Sequence, residues 1–130
     1  MNNKDKGFTL IELGVVISLI ALLAFAVVPR FFDLRNNAQE TCARQLLSSL
    51  KTSAVFYTAQ EKKVPIYFND FVVLTGEATG SKTLSLDNIK HEVSSISMTP
   101  NTTTLKVTFN QGGMATYSLN GEEVTAEFTF

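Results

Sequence analysis

Phe8-Thr-Leu-Ile-Glu-Leu-Gly-Val-Val-Ile-Ser-Leu-Ile-Ala-Leu-Leu-Ala-Phe-Ala-Val-Val28 is a run of 21 residues with a single formal charge, Glu12. As a helix rising 1.5 Å per residue it reaches roughly 30 Å, the thickness of a bilayer's hydrocarbon layer. It lacks the polar face that a soluble core helix of this length carries. The run therefore reads as a single membrane span. In the seven residues ahead of it, Lys4 and Lys6 outnumber Asp5, which keeps the N-terminus in the cytoplasm and puts the rest of the chain outside. Arg30 and Arg35 beyond the span oppose this orientation, but Asp33 lies between them and the short N-terminal segment dominates. Two features argue against a removable secretory signal. The run exceeds the roughly 7 to 15 residues of such a segment, and it ends at Val27-Val28-Pro29-Arg30-Phe31-Phe32 with no small-x-small cleavage site.

Glu12 needs a partner. A carboxylate near the centre of a membrane helix costs on the order of 2 to 3 kcal/mol, less near the interface. Its short side chain cannot reach water as a lysine stem does. A new amino terminus made just before Phe8 would supply a protonated amine, and the most natural pairing is between neighbouring chains staggered along one another.

Gly7-Phe8-Thr9-Leu10-Ile11-Glu12, with a short charged leader before it, the apolar helix after it and Pro29 beyond, resembles the N-terminus of type IV prepilins and of the pseudopilins of type II secretion. The resemblance implies that a prepilin peptidase cuts between Gly7 and Phe8 and N-methylates Phe8. It also implies that Glu12 is attracted to the terminal amine of the adjacent subunit, with Thr9 as a hydrogen-bonding neighbour in filament assembly. The chain departs from the family pattern at Ala21-Leu22-Leu23-Ala24, where many filament-forming pilins have a helix-loosening Gly. The stretch Pro29–Leu34 is similar to that of agglutinin-type pilins of marine bacteria.

Within a helix Pro29 removes one donor and clashes with the carbonyl four residues back, so it kinks or ends the helix. The following pattern favours a kink. Phe31, Leu34, Ala38, Cys42, Leu46, Leu50, Ala54 and Tyr57 recur at spacings of three and four, which predicts a helix running to about Gln60, roughly 80 Å in all. Cys42 on that stripe reads as a small buried hydrophobe, since no His or Asp accompanies it at helical spacing.

After Gln60 the pattern turns to alternation. Val64–Phe68, Phe71–Thr75 and Thr83–Leu86 read as short extended pieces of a connection, and Ile89–Met98 as a strand. Thr104–Phe109, Met114–Leu119 and Glu123–Phe128 alternate clearly, separated by Gln111-Gly112-Gly113 and by the hairpin signal Asn120-Gly121. The expected fold is α+β: a long kinked N-terminal helix, half membrane and half amphipathic, packed on a small C-terminal antiparallel sheet. The expected divisions are a leader at 1–7, a membrane and assembly half at 8–29, an amphipathic half at 30–60 and a globular β head at 61–130.

The 130 residues carry 11 Lys+Arg against 12 Asp+Glu, so no excess of positive charge points to nucleic acid. One Cys and one His exclude a Cys/His metal cage, and no cofactor or metal is expected. Gly76–Thr83 comes within one residue of a phosphate-binding loop, but Ser81 replaces its second glycine and a strand pattern follows, so a solvated loop is the reading. His91 beside Glu92 lacks a second His. Asp70 and Asp87 stand in a region where some secretion pseudopilins hold calcium, without a close-spaced oxygen-ligand run. Asn101-Thr102-Thr103 fits both a glycosylation acceptor and a plain turn.

Three functions follow. The favoured one is a structural subunit of a type IV pilus serving adhesion, motility or surface attachment, and the alternative is a pseudopilin driving protein export. The third is an unprocessed anchor for a small binding domain, which has no reason to place Gly7 and Glu12 around Phe8. No enzymatic activity is expected. The partners implied are the prepilin peptidase, copies of the chain and related pilins, an inner-membrane assembly platform and inner-membrane lipid. The precursor would sit in the bacterial inner membrane before entering an extracellular pilus or a periplasmic pseudopilus.

Overall fold

The structure is a computed structural model and describes residues 7–130, so the expected leader, Gly7 apart, lies outside the described residues. Helix α1 spans Leu10–Glu61, and its helical course includes Pro29. It ends at Lys62, whose backbone is left-handed (φ 54°) and whose N–H donates to the Thr58 carbonyl at 2.9 Å. That is the single-bond left-handed cap, with Lys in the place Gly commonly takes, and Pro65 shortly afterwards prevents any continuation.

Two compact units divide the chain, Met1–Arg35 and Asn36–Phe130. Every described residue of the first unit is exposed, including Leu10 at 90% and Phe25 at 86%. The second unit holds the core. Strands β3 (Val93–Ser97), β4 (Thr104–Phe109), β5 (Met114–Asn120) and β6 (Glu123–Thr129) form an antiparallel sheet in that order. Alternation along them turns Leu105, Val107, Phe109, Ala115, Tyr117, Leu119 and Val124 to one side, in a core shared with Ala43, Leu46, Leu50, Ala54 and Tyr57 of α1. Each element thereby buries its apolar face against another, as a two-layer α+β fold requires. A second sheet pairs β1 (Val72–Val73) with β2 (Leu84–Ser85) in parallel.

Several local expectations change. Phe31, Leu34 and Ala38 are exposed, while Ala43 and Ser53 are buried. Helical spacing identifies a face but not where along the rod its cover begins, and here that cover starts at Gln39. Val64–Phe68 is not extended as a unit, because Phe68 opens a 3-10 turn, Phe68–Asp70. Asp70 Oδ2 accepts from the Ile66 and Tyr67 N–H groups, both at 2.9 Å, and fixes that turn. A second 3-10 turn, Asp87–Ile89, shortens the strand expected from Ile89. The last hairpin turns one residue later than the Asn-Gly signal suggests: Asn120 pairs with Glu123, leaving Gly121 and Glu122 at the bend. Gly121 has φ 65° and Glu122 is not left-handed, the pattern of a turn that needs Gly at its first central position.

Tyr117 ties the layers together. Its ring is buried and its hydroxyl donates to the Ala43 carbonyl at 2.8 Å. Burial pushes its pKa up. The folded state thus holds the phenolic proton more tightly than the unfolded chain, a stabilisation complete below about pH 10 and lost as pH rises beyond it. Tyr117→Phe is expected to lower stability by about 1 kcal/mol at neutral pH and to weaken the alkaline loss. Denaturant titrations of the detergent-solubilised chain at pH 7 and pH 11 measure both effects.

Candidate functional site

The N-terminal tip is built by a capping box. The Thr9 N–H donates to Glu12 Oε2 at 3.0 Å, and the Glu12 N–H donates to Thr9 Oγ1 at 3.3 Å. Two amide donors that the first turn leaves unpaired are satisfied reciprocally, which is why a Thr-x-x-Glu spacing starts a helix well. Glu12 therefore has a structural partner, Thr9, within its own chain in addition to the external amine expected from the sequence. The signal was present in the sequence as Thr9 and Glu12 three residues apart. Glu12 Oε1 accepts no hydrogen bond among the described residues, so one carboxylate oxygen stays open to an external donor.

Phe8 lies beside this box, 79% exposed, and with Ile11, Glu12, Val15 and Val16 it lines an open groove. An adjoining groove runs over Gly14 and Ser18. A Cβ added at Gly14 would meet nothing within 4 Å, and the Ser18 hydroxyl is turned back onto the Gly14 carbonyl at 2.8 Å. Gly14 and Ser18 thus form a shallow notch in the spacing of four that lets apolar helices approach closely. The reading of the charged and aromatic positions missed this pair, although its spacing is plain in the sequence. Pro29 lies well along the same helix and takes no part in the tip.

The remaining candidates resolve into structural roles. Burial, with a smaller contribution from the Glu92 charge, pushes the Cys42 thiol up and leaves it a poor nucleophile at neutral pH. Asp87 pairs with Lys90, whose hydrogen bond holds the carboxyl below its ordinary value. Gly76–Thr83 is a loop with left-handed glycines at 76 and 80, and it leads into β2 rather than a helix. His91 is exposed.

An exposed apolar helix with a carboxylate at its tip and a sheet-backed head are the parts of a subunit that assembles through its helix. Comparison with known proteins agrees. Residues 2–28 match the prokaryotic N-terminal methylation motif. The chain is 36% identical over 86 residues to the type IV narrow pilus major component of Thermus thermophilus, a match covering 65% of this chain and 74% of that one. It is 39% identical over 60 residues to a fimbrial protein of Pseudomonas aeruginosa, covering 46% of this chain and 39% of the relative. It is also 37% identical over 65 residues to a type IV major pilin of Neisseria gonorrhoeae, covering 50% and 36%. No solved structure matches. The chain belongs to the type IV pilin family, whose members are structural proteins rather than enzymes. Membership implies processing by a prepilin peptidase and polymerisation with other pilins.

Proposed function

We propose that the chain is the major structural subunit of a type IV pilus. The carrying observation is the uninterrupted exposure of the apolar residues from Phe8 to Leu34, which need lipid or neighbouring helices to cover them. The names of the Thermus, Pseudomonas and Neisseria relatives support the pilus over a secretion pseudopilus. In this reading residues 1–7 are a leader, 8–29 the membrane and assembly half of α1, 30–60 its amphipathic half and 61–130 the head. The peptidase cuts between Gly7 and Phe8 and methylates the Phe8 amine. The precursor waits in the inner membrane with its N-terminus in the cytoplasm, surrounded by lipid, and an inner-membrane platform passes it into the filament.

Assembly replaces lipid contacts by helix contacts, so the gain must come from packing and polar pairing rather than from burial away from water. The Gly14–Ser18 notch supplies close approach. The free oxygen of Glu12 supplies a seat for the amine of a neighbour, while the other oxygen keeps the helix capped. Thr9 holds the carboxylate in place, and Pro29, which lacks a backbone donor, is the site of the helix kink.

Isolation of sheared surface filaments from the producing cells tests the proposal. The expected result is this chain as their principal protein and bald cells when its gene is deleted. Normal filaments in the deletion strain, with secretion impaired instead, would transfer the chain to the export reading.

A further inference from the structure

A cleft of about 420 Å³ lies at one corner of the head's sheet, where the β3–β4 connection meets the face turned away from α1. Its floor is the cross-strand pair Ser97 and Lys106 together with Thr104, and its wall carries Thr99, Asn101 and Thr103. The connection is held in shape by one bond to the Phe68–Asp70 turn and one within itself. The Asn101 N–H donates to Asn69 Oδ1 at 3.3 Å, and the Thr102 hydroxyl bonds to the Thr99 carbonyl at 2.8 Å. Asn101 sits in the left-handed region at φ 60°. By contrast, among the described residues the Asn101 side-chain amide and the hydroxyls of Ser97, Thr99, Thr103 and Thr104 have no protein partner, and Lys106 is in no ion pair.

The chemistry of this lining is narrow. It offers one ammonium, one amide and several hydroxyls, with no carboxylate and no aromatic ring. The cross-strand register puts Thr116 between Lys106 and Glu127, so the nearest acid in that row is two strand spacings away, roughly 10 Å. Hydroxyls and an amide match the mixed donors and acceptors of a sugar ring, and an unneutralised ammonium matches a carboxylate. A phosphate would find a single cation and no helix N-terminus, and an apolar ligand would find nothing to pack on.

We propose that this cleft binds a carboxylated sugar unit, so that the head of each subunit carries a site for acidic polysaccharide. The site deepens the proposed role as a pilus subunit and rests on that reading for its placement on a filament. Lys106 takes the carboxylate, Asn101 bridges ring hydroxyls, and Ser97 and Thr104 complete the polar floor.

The test is co-sedimentation of purified filaments with polygalacturonate, with dextran as a sugar lacking carboxylates and polyglutamate as a carboxylate polymer lacking sugar. Polygalacturonate is expected to bind, and the other two weakly. Lys106→Gln is expected to reduce that binding about tenfold, the effect of one charge-assisted contact, with Asn101→Ala reducing it several-fold and Lys63→Gln leaving it unchanged. Equal binding of polyglutamate would reduce the effect to bulk charge. Binding that survives both cleft substitutions, or a covalent glycan found on Asn101 by intact mass, would also overturn the proposal. Electron microscopy of each preparation separates this result from filament formation itself. If no filaments form, the same titration on the detergent-solubilised full chain still decides the cleft.

Discussion

A chain carrying Glu12→Leu is expected to insert into the membrane, lose its leader and be absent from filaments, with assembled protein falling by well over tenfold. Leucine removes both roles of the carboxylate: the cap on the Thr9 N–H and the free oxygen. The informative companion is Glu12→Gln. A glutamine can still accept from the Thr9 N–H, because the third helical position of a capping box takes Gln as well as Glu. It therefore preserves the start of α1 while removing the charge. If charge pairing with a neighbour's amine drives assembly, Glu12→Gln fails nearly as badly as Glu12→Leu. If capping is what counts, Glu12→Gln assembles normally. Thr9→Ala tests the other half of the box: it removes one hydrogen bond, at a cost of about 1 kcal/mol to the helix start, and is expected to slow assembly without abolishing it. Quantifying sheared filaments against membrane-retained chain reads all three.

Leu50→Ala is the second large effect, and it acts on the head. Leu50 is fully buried on α1 within the core cluster shared with the sheet. Truncation there loses transfer free energy and leaves a cavity, which together amount to about 3 kcal/mol. For a domain whose whole stability is of the order of 5 to 15 kcal/mol, that is a major fraction. Leu34→Ala on the same helix is the control, since Leu34 is 64% exposed and outside the core. Denaturant unfolding of the detergent-solubilised chain should separate the two by about 2 to 3 kcal/mol. Equal effects would contradict the division of the stripe near Gln39.

Much of this was legible in the sequence. The strands from Thr104 onwards follow from strict alternation, since a strand with one buried face leaves little freedom in its register. The span from Phe8 to Val28 is equally plain because a uniformly apolar run has few alternatives. What escaped had physical causes. The stripe through Phe31 and Leu34 repeats like a buried face because helix contacts in a bundle demand the same spacing as a head does, and periodicity cannot tell the two covers apart. The short elements between Val64 and Ile89 depend on side-chain caps such as Asp70, and on the two-residue pairing of Val72–Val73 with Leu84–Ser85, too brief to leave an alternation. At the tip, attention to the expense of Glu12 in lipid hid its ordinary role as a helix cap. The Gly14–Ser18 notch was hidden for the opposite reason, because small residues in an apolar run carry no charge to draw notice. The polar cleft arises where the β3–β4 connection meets the two paired strands it joins, and only its Asn101-Thr102-Thr103 portion was visible as a motif.

Assembly as proposed depends on a new amine being made next to Glu12. Intact-mass and N-terminal analysis of the chain recovered from purified filaments measures this directly. The expected result is a subunit beginning at Phe8 with its amine methylated, and only the long form in cells carrying Gly7→Leu. Filaments built from chains that still begin at Met1 would contradict it.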